Sequence, residues 1–386
     1  MSPDDHSPTG TSRRGFLLAG VGAGVAGVVA GAAAGLAVGG SSTGTDGEPR
    51  GDSRPTTIEP GGAHQAGVDR PEVLQRHLAL SVLDVEAARL ADLLDAVGAR
   101  IADLATGADP ALAGLDPSRL TVTVGVGGRV LAALGLEAPA TELPAFRRDE
   151  IPDERTGGDL LLLCRADDGA VASLARSTLC GVVGGTERWR SDGFTSAPDG
   201  PATRNLIGFH DGLSIPRTPT ELQESVWVPE GPFADGTVAV IRVMPIDTAA
   251  IESLAVPDQE RLVGRKRSSG APLSGGSALD DPDLHAKSAS GVPDIPVDAH
   301  VRRAHPLPAG LDGLMLRRSY SYSAGPEDQG AVFVSFQRDR EFFVRTQQRL
   351  DEGDALLDLT RTTASAAFVV LPGFTAERPL GSALRA

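Results

Sequence analysis

Short strand-like runs alternate with helical stretches in two successive sets, and this alternation constrains the fold more than any other feature of the chain. The strand-like runs of the first set are HLALSV (77–82), LTVTVGV (120–126) and LLLLC (160–164), and its helices are predicted near 85–104 and 169–179. The second set has strands at 238–243, 319–323, 331–336 and 367–371, with helices at 247–254 and 341–350. Period-2 runs indicate strands and 3.6-residue spacing of apolar residues indicates helices.

The two sets predict an α+β fold, in which duplicated ferredoxin-like halves with antiparallel sheets form one compact unit. We place the N-terminal half at 63–225 and the C-terminal half at 226–386. Residues 268–307 have no strong period and are predicted to be a long loop, a feature that is often functional.

The N-terminal segment contains the run Ser12-Arg13-Arg14-Gly15-Phe16-Leu17-Leu18, followed by a Gly/Ala-rich apolar stretch. A membrane anchor is one interpretation, but weak hydrophobicity after paired arginines is more typical of a twin-arginine signal segment, which we place at 1–40. The polar stretch 41–62 is predicted to be a disordered linker. We therefore expect export by the twin-arginine pathway to the periplasm, cell envelope or exterior.

The net charge of −15 argues against nucleic acid as a partner, because no basic stripe is present to neutralise phosphates. The short run Arg265-Lys266-Arg267 is predicted to be a solvated loop. Only two cysteines occur, Cys164 and Cys180. They exclude a disulfide scaffold and a four-cysteine zinc site, and leave a single disulfide open.

Three motifs could carry chemistry. The run His210-Asp211-Gly212 is typical of a turn, although a carboxylate there could also act as an acid–base group. The run Ala299-His300-Val301-Arg302-Arg303 is either a polar surface segment or a metal-ligating histidine with cations that hold the carboxylates of a cofactor. In Met315-Leu316-Arg317-Arg318, apolar residues lead into two arginines, and a buried arginine is unfavourable unless it meets an anion.

Together these segments resemble the dye-decolorizing peroxidase family of haem enzymes, over about residues 62–376. The segments that carry the resemblance are GAHQAGV (62–68), LTVTVG (120–125), GFHDG (208–212), AHVRRAHP (299–306), MLRR (315–318) and FVSFQRD (333–339). The resemblance implies haem b (iron protoporphyrin IX) as cofactor. It also implies a reaction in which hydrogen peroxide produces a ferryl intermediate that oxidises dyes, phenols or other small-molecule reductants.

The resemblance also assigns roles to individual residues. It makes His300 the ligand of the haem iron, with its second ring nitrogen bonded to a carboxylate. For that carboxylate we choose Asp358, with Asp354 as the alternative. Asp211 becomes the residue that moves a proton between the peroxide oxygens, and Arg317 stabilises the developing negative charge. Because a neighbouring cation favours the ionised form of Asp211, we expect an acidic activity optimum.

Further residues are expected to contact the haem. Those that match haem-lining positions are Gly212, Leu213, Ser214, His305, Pro306 and Leu307. Arg302 is assigned to a haem propionate, and His305 stays open as an alternative iron ligand. The four residues Tyr320, Tyr322, Trp189 and Trp227 could relay electrons, although packing is the commoner role of aromatic residues.

The sequence therefore predicts a secreted haem peroxidase, and two other functions stay open. One is a deferrochelatase-like haem- or iron-handling component of an uptake system, with partner proteins of that system. The other is a secreted binding module without haem. A homo-oligomer is compatible with each of these functions.

Overall fold

The first set of elements forms a βαββαβ unit whose strands make one antiparallel sheet. The computed structural model describes residues 56–200, 202–306 and 313–385. The elements are β1 His77–Asp84, α1 Leu90–Thr106, β2 Thr121–Val126, α2 Gly128–Ala133, β3 Leu160–Ala166, α3 Gly169–Val183 and β4 Thr186–Phe194. The strand order is β2-β3-β1-β4, with all neighbours antiparallel.

The second set repeats this arrangement after a short connecting region that holds β5 and β6. The connecting elements are β5 Thr203–Arg204, β6 His210–Asp211 and α4 Pro219–Ser225. The second unit comprises β7 Thr237–Pro245, α5 Thr248–Glu252, α6 Val256–Val263, α7 His300–Ala304, β8 Leu316–Arg317, β9 Tyr320–Gly325, β10 Asp328–Gln337, α8 Glu341–Asp351 and β11 Ala364–Val370. Strand β10 pairs with β7 on one edge and with β8 and β9 on the other, and β11 completes the order β9-β10-β7-β11. The predicted duplicated ferredoxin-like fold is confirmed.

The two sheets also join to each other, which the sequence analysis did not predict. Strand β11 pairs with β2 at Val369–Val126 and Val370–Gly125. Strand β4 pairs with β9 at Phe194–Ser321. Since β7 and β10 are also paired, the sheet closes into a ring of eight strands. Each strand of the ring therefore has a partner on both sides over at least part of its length.

Alternation along each strand separates the side chains into an inner and an outer set. Inside the ring, residues of both halves pack in one cluster that includes Leu80, Leu163, Ile241 and Phe368. Outside it, α1 and α3 pack on the first half through a second cluster. The outer face of the second half carries a separate cluster, in which Phe342 and Phe343 of α8 contact β7 and β11.

Local sequence signals explain how several helices begin and end. Asp168 caps α3, because its side chain accepts a hydrogen bond from Ala170 N at 2.7 Å. Helix α1 ends at Gly107, whose φ of 77° is readily adopted by glycine. The predicted helix at 247–254 is shorter than expected. It stops at Glu252, and a new helix starts at Val256 with Pro257 in its first turn.

Two expectations about loops need correction at particular residues. Residues 56–62 do not behave as a disordered linker: Thr56 O accepts a hydrogen bond from Arg119 N at 2.7 Å, and Gly62 N donates to Phe374 O at 3.0 Å. Arg265 is not solvated but buried. The proposed signal segment 1–40 and residues 41–55 lie outside the described residues.

Among the described residues, no helix is both long and apolar enough to cross a bilayer.

Candidate active site

His300 is the first residue of α7, and its imidazole is held by a buried carboxylate. The Nδ1 atom lies 2.6 Å from Oδ2 of Asp354. The Asp354 side chain is fully buried, whereas 41% of the His300 side chain is exposed. The other Asp354 oxygen accepts hydrogen bonds from Leu356 N at 2.8 Å and Leu357 N at 3.0 Å. The carboxylate is thus fixed by the turn that follows α8 and in turn fixes the ring.

Charge coupling stabilises this pair. Although 41% of its side chain is exposed, the protein packed around the His300 ring removes water from it, which alone would lower the pKa of His300. The charge of Asp354 and the hydrogen bond to it outweigh this and raise the pKa above its ordinary value. Burial alone would raise the pKa of Asp354. The charge of His300, the hydrogen bond to it and the two backbone N–H groups outweigh burial and hold that pKa below its usual range.

The choice of Asp358 as the partner of His300 is therefore wrong, and the alternative, Asp354, holds that position. Asp358 instead forms an ion pair with Arg147, at 2.8 Å between Oδ1 and Nη1, and 56% of its side chain is exposed. The physical reason lies in the turn after α8. In that turn, buried Asp354 accepts hydrogen bonds from backbone N–H groups, whereas Asp358, within the 3-10 helix Leu357–Leu359, points towards solvent.

Asp211 and Arg317 meet on two short strands. Asp211 ends β6 and Arg317 ends β8, and Asp211 Oδ1 lies 3.9 Å from Arg317 Nε. Asp211 Oδ1 also accepts a hydrogen bond from Gly212 N at 2.7 Å, and Gly212 has a φ of 77°. The chain turns here, as the Asp-Gly motif predicts, and the same turn directs the carboxylate towards a cation, whereas the acid–base role of Asp211 stays a prediction.

Contacts link His300 to Arg317 and Asp211: Gly264 packs against Ala299 and Val301, which flank His300. The next residue, Arg265, bonds to Ser214, which also accepts a hydrogen bond from Arg317. The positive charge of Arg317 lowers the pKa of His300 and the negative charge of Asp211 raises it, alongside the larger effects of burial and Asp354. Two segments separated by about ninety residues in sequence, each predicted to be functional, are therefore brought together.

Ser214 connects the loop after Asp211 to two arginines. Its carbonyl oxygen accepts a hydrogen bond from Arg317 Nη1 at 3.0 Å, and its hydroxyl oxygen accepts one from Arg265 Nη2 at 3.2 Å. Arg265 also donates to Gly270 O and Ala278 O, both at 2.9 Å. Burial, followed by the charge of Arg317, lowers the pKa of Arg265. Gly212 and Leu213 lie in the same loop, and Leu213 is buried.

Sequence reasoning missed Arg265. Its place in the basic run Arg265-Lys266-Arg267 is typical of a solvated loop, and no local pattern distinguishes the buried member. Ser335 was also missed, although it pairs across the sheet with Arg317. Its hydroxyl is buried and lacks a hydrogen-bond partner among the described residues. Because directly paired residues share a face of a sheet, this hydroxyl lies beside Arg317.

The remaining predicted site residues lie around α7. The Arg302 guanidinium donates to Ile295 O and Pro296 O, with the shortest of these bonds at 2.8 Å, so its assignment to a propionate stays a prediction. His305 has both ring nitrogens in contacts, to Asp281 Oδ1 at 3.1 Å and to Pro306 O at 2.9 Å. This arrangement favours His300 over His305 as an iron ligand. Leu307 lies outside the described residues.

The four Trp and Tyr residues pack in the cluster inside the ring of strands, and each is less than 10% exposed. Tyr322 donates to Asp328 Oδ1 at 2.8 Å and Trp189 to Gly157 O at 3.1 Å. Trp227 stacks on His64, with ring centroids 3.6 Å apart. These contacts support packing as their role. Cys164 and Cys180 are both free thiols in the structure.

Comparison with known proteins gives one consistent result. The family model described as Dyp-type peroxidase, N-terminal, matches residues 65–195, and the model described as Dyp-type peroxidase, C-terminal, matches residues 202–375. A dye-decolorizing peroxidase of Thermobifida fusca is 34% identical over 304 residues, which cover 71% of this chain and 69% of the relative. A deferrochelatase of Escherichia coli O157:H7 is 30% identical over 368 residues, which cover 84% and 86%.

Solved structures give the same result. A DyP-type peroxidase from Cellulomonas bogoriensis superposes with a TM-score of 0.78 at 34% identity, covering 85% of this chain and 98% of the other. Ferric DtpA from Streptomyces lividans gives 0.79 at 31% identity, with 86% and 97% covered.

Proposed function

Because the chain belongs to the Dyp-type peroxidase family, we propose that His300, Asp211 and Arg317 form the catalytic centre with which it uses hydrogen peroxide to oxidise small-molecule reductants. The enzyme is an oxidoreductase and its cofactor is haem b. The observation that supports the residue assignment is the set of contacts through Gly264, Arg265 and Ser214 that links the segment of His300 to the Asp211–Arg317 pair.

The residues present fit a haem. Within the described part of the chain, no group of three or more His, Cys, Asp or Glu side chains is arranged to hold a metal ion. A single imidazole ligand suits an iron whose other ligands come from a porphyrin. His300 meets this need, because Asp354 occupies Nδ1 and leaves Nε2 as the nitrogen for iron. The buried cation Arg265 is suited to a haem carboxylate, as is Arg302 if its present bonds rearrange.

When bound, haem supplies the electrons that break the O–O bond of hydrogen peroxide. Asp211 accepts the proton of one peroxide oxygen and returns it to the other, which leaves as water. Arg317 Nε lies 3.9 Å from Asp211 Oδ1, so the guanidinium faces the carboxylate that acts as the base. The same guanidinium stabilises the negative charge that develops on the peroxide, and its bond to Ser214 O holds it in place.

Absorption spectra test this proposal. We expect purified protein to show a Soret band that shifts when hydrogen peroxide is added, and the band to be lost or altered in His300→Ala. The control is His305→Ala, which should keep the ligand spectrum if His300 is the ligand. A visible spectrum without a Soret band after haem supplementation would overturn the assignment of His300.

A second candidate function is haem or iron handling, since the chain shares 30% identity with deferrochelatase over 84% of its length. The same site would then serve iron release, together with partner proteins of an iron-uptake system. Incubation of the haem-loaded protein with a ferrous chelator separates the two functions. Release of iron with an intact porphyrin supports the second function, whereas peroxide-dependent dye oxidation without iron release supports the first.

We also propose export by the twin-arginine pathway, based on Arg13 and Arg14 ahead of the apolar stretch. Replacing both by Lys should retain the protein in the cytoplasm, as fractionation and immunoblotting would show. Equal export of the variant would contradict the proposal. A homo-oligomer is compatible with this function, and light scattering of the purified protein measures the oligomeric state.

A further inference from the structure

One end of the ring of strands carries three arginines: Arg165 on its inner side, and Arg318 and Arg119 at its opening. Arg165 follows Leu163 by two residues on β3 and therefore shares its inward direction. Its guanidinium lies over the ring of Phe336, 5.6 Å from the centroid. Arg318 precedes β9, and Arg119 precedes β2. We call Arg165, Arg318 and Tyr320 the barrel-end cluster.

The polar groups of this cluster are buried and incompletely bonded. Arg165 is 0%, Tyr320 is 3% and Arg318 is 6% exposed. Arg165 donates only from Nη1, to Gly67 O at 2.8 Å, and Arg318 donates from Nη2 to Asp69 O and Pro71 O. The Nε and Nη2 atoms of Arg165, the Nε atom of Arg318 and the hydroxyl of Tyr320 have no partner among the described residues.

The unbonded groups belong to one neighbourhood. Arg165 and Arg318 donate to one short segment, to Gly67 O and to Asp69 O and Pro71 O, and Tyr320 follows Arg318 by two residues. The charge of Arg165 also acts on Arg318, and both of them and Arg119 act on Tyr320. Burial, followed by the charge of Arg165, lowers the pKa of Arg318 to about 10. Unpaired buried cations are strongly unfavourable, so this neighbourhood requires a compensating group.

The charges of the neighbourhood do not cancel. Arg119 is paired with Asp167, at 2.8 Å between Nη1 and Oδ2. Asp69 acts on Arg318 from the segment that closes this end, but no ion pair within 4.0 Å joins them among the described residues. Three arginines and two carboxylates leave one positive charge, and the unbonded atoms of the cluster are N–H and O–H donors. The unbonded acceptors nearby are Gln75 Oε1 and Asp69 Oδ1.

We propose that the barrel-end cluster binds a small monovalent inorganic anion, such as chloride, between Arg165, Arg318 and Tyr320. Such an anion accepts hydrogen bonds from the four unbonded N–H and O–H donors. Its single negative charge neutralises the one net positive charge of the neighbourhood. The site lies inside the ring of strands and is separate from the site of His300, Asp211 and Arg317. It stabilises the folded chain by linkage, because the unfolded chain cannot assemble these donors.

Thermal unfolding of the haem-loaded protein tests the proposal. Chloride is raised at constant ionic strength, with gluconate as the balancing anion, which is too large for a buried site. The Tm of the wild type should rise and then level off, whereas Arg165→Met should show no dependence on chloride. The matched control is Arg89→Met, at an exposed position, which should keep the wild-type dependence. Equal dependence in all three proteins would overturn the proposal.

Two further measurements cover the case in which Arg165→Met does not fold. Tyr320→Phe removes one donor and keeps both cations, so half of the Tm rise should need about 10-fold more chloride. Crystals soaked in sodium bromide should show anomalous density within hydrogen-bonding distance of Arg165 Nε or Nη2. Ordered water in place of bromide overturns the proposal. So does bromide density without any effect of chloride on Tm, which would mean an adventitious ion only.

Discussion

The bond between His300 and Asp354 can be tested by one isosteric change, Asp354→Asn. The amide keeps an oxygen for Leu356 N and Leu357 N, but the group facing His300 Nδ1 becomes a donor. His300 is then pushed towards the tautomer with its proton on Nε2, which is the nitrogen needed for iron. The substitution therefore acts on the ligand rather than on the fold.

The magnitude follows from the geometry. A hydrogen bond of 2.6 Å between an imidazole and a buried carboxylate is charge-assisted, and such bonds contribute about 1.5–3 kcal/mol. At about 1.4 kcal/mol for each factor of 10, this corresponds to roughly a 10- to 100-fold loss of haem affinity, the range found for partners of metal-ligating histidines.

The assay is a titration of the haem-free protein with haem, followed through the Soret band. Asp358→Asn is the matched control, because that carboxylate is exposed and paired with Arg147 rather than with His300. It should bind haem like the wild type. Affinity of Asp354→Asn within twofold of the wild type, or an equal loss in Asp358→Asn, would refute the assignment of Asp354.

Four further outcomes are expected. Asp211→Asn should lower kcat/KM for hydrogen peroxide by about 10²–10⁴-fold and leave haem binding intact, whereas the exposed Asp199→Asn should match the wild type in the same steady-state assay. Arg317→Met should lower the same constant by about 10²–10³-fold, and a change below threefold would contradict its role in charge stabilisation. Activity should persist at acidic pH and be lost once the carboxylate base is protonated, so a rate that is still undiminished at about pH 2 would count against a carboxylate base. Phe368→Ala, inside the ring of strands, should reduce the free energy of unfolding by about 3–5 kcal/mol in denaturant titration, whereas Leu279→Ala at the surface should change it by less than about 0.5 kcal/mol.

Many elements of the fold could be predicted because they have a local signal, but β4, with the polar run TERWRSDGF, has none and was missed. The hairpin of β9 and β10 follows from two alternating runs, and α1 from apolar residues at helical spacing. The closure of the sheet could not be predicted in this way. The pair Val369–Val126 joins residues more than 240 positions apart, and neither strand carries a pattern that names its partner.

The site shows the same division between local and non-local information. His300, Asp211 and Arg317 stand in motifs that a reader of the sequence can find. The choice between Asp354 and Asp358 depends on which carboxylate accepts the backbone N–H groups of the turn after α8, which is a property of three-dimensional geometry. Arg265 was hidden because burial of a cation depends on distant partners, here Ser214, rather than on its basic neighbours.

The closed ring of strands has a consequence for how the chain is made. During synthesis from the N-terminus, the first half emerges with β2 and β4 as bare edges, since their partners β11 and β9 lie in the second half. Strand β11, at Ala364–Val370, is the last to leave the ribosome and the one that joins the halves on one side. Until then the edges offer a template for pairing with other chains. A chain that stops short of β11 therefore retains the exposed edges of an unfinished protein, even though it already carries His300, Asp354, Asp211 and Arg317.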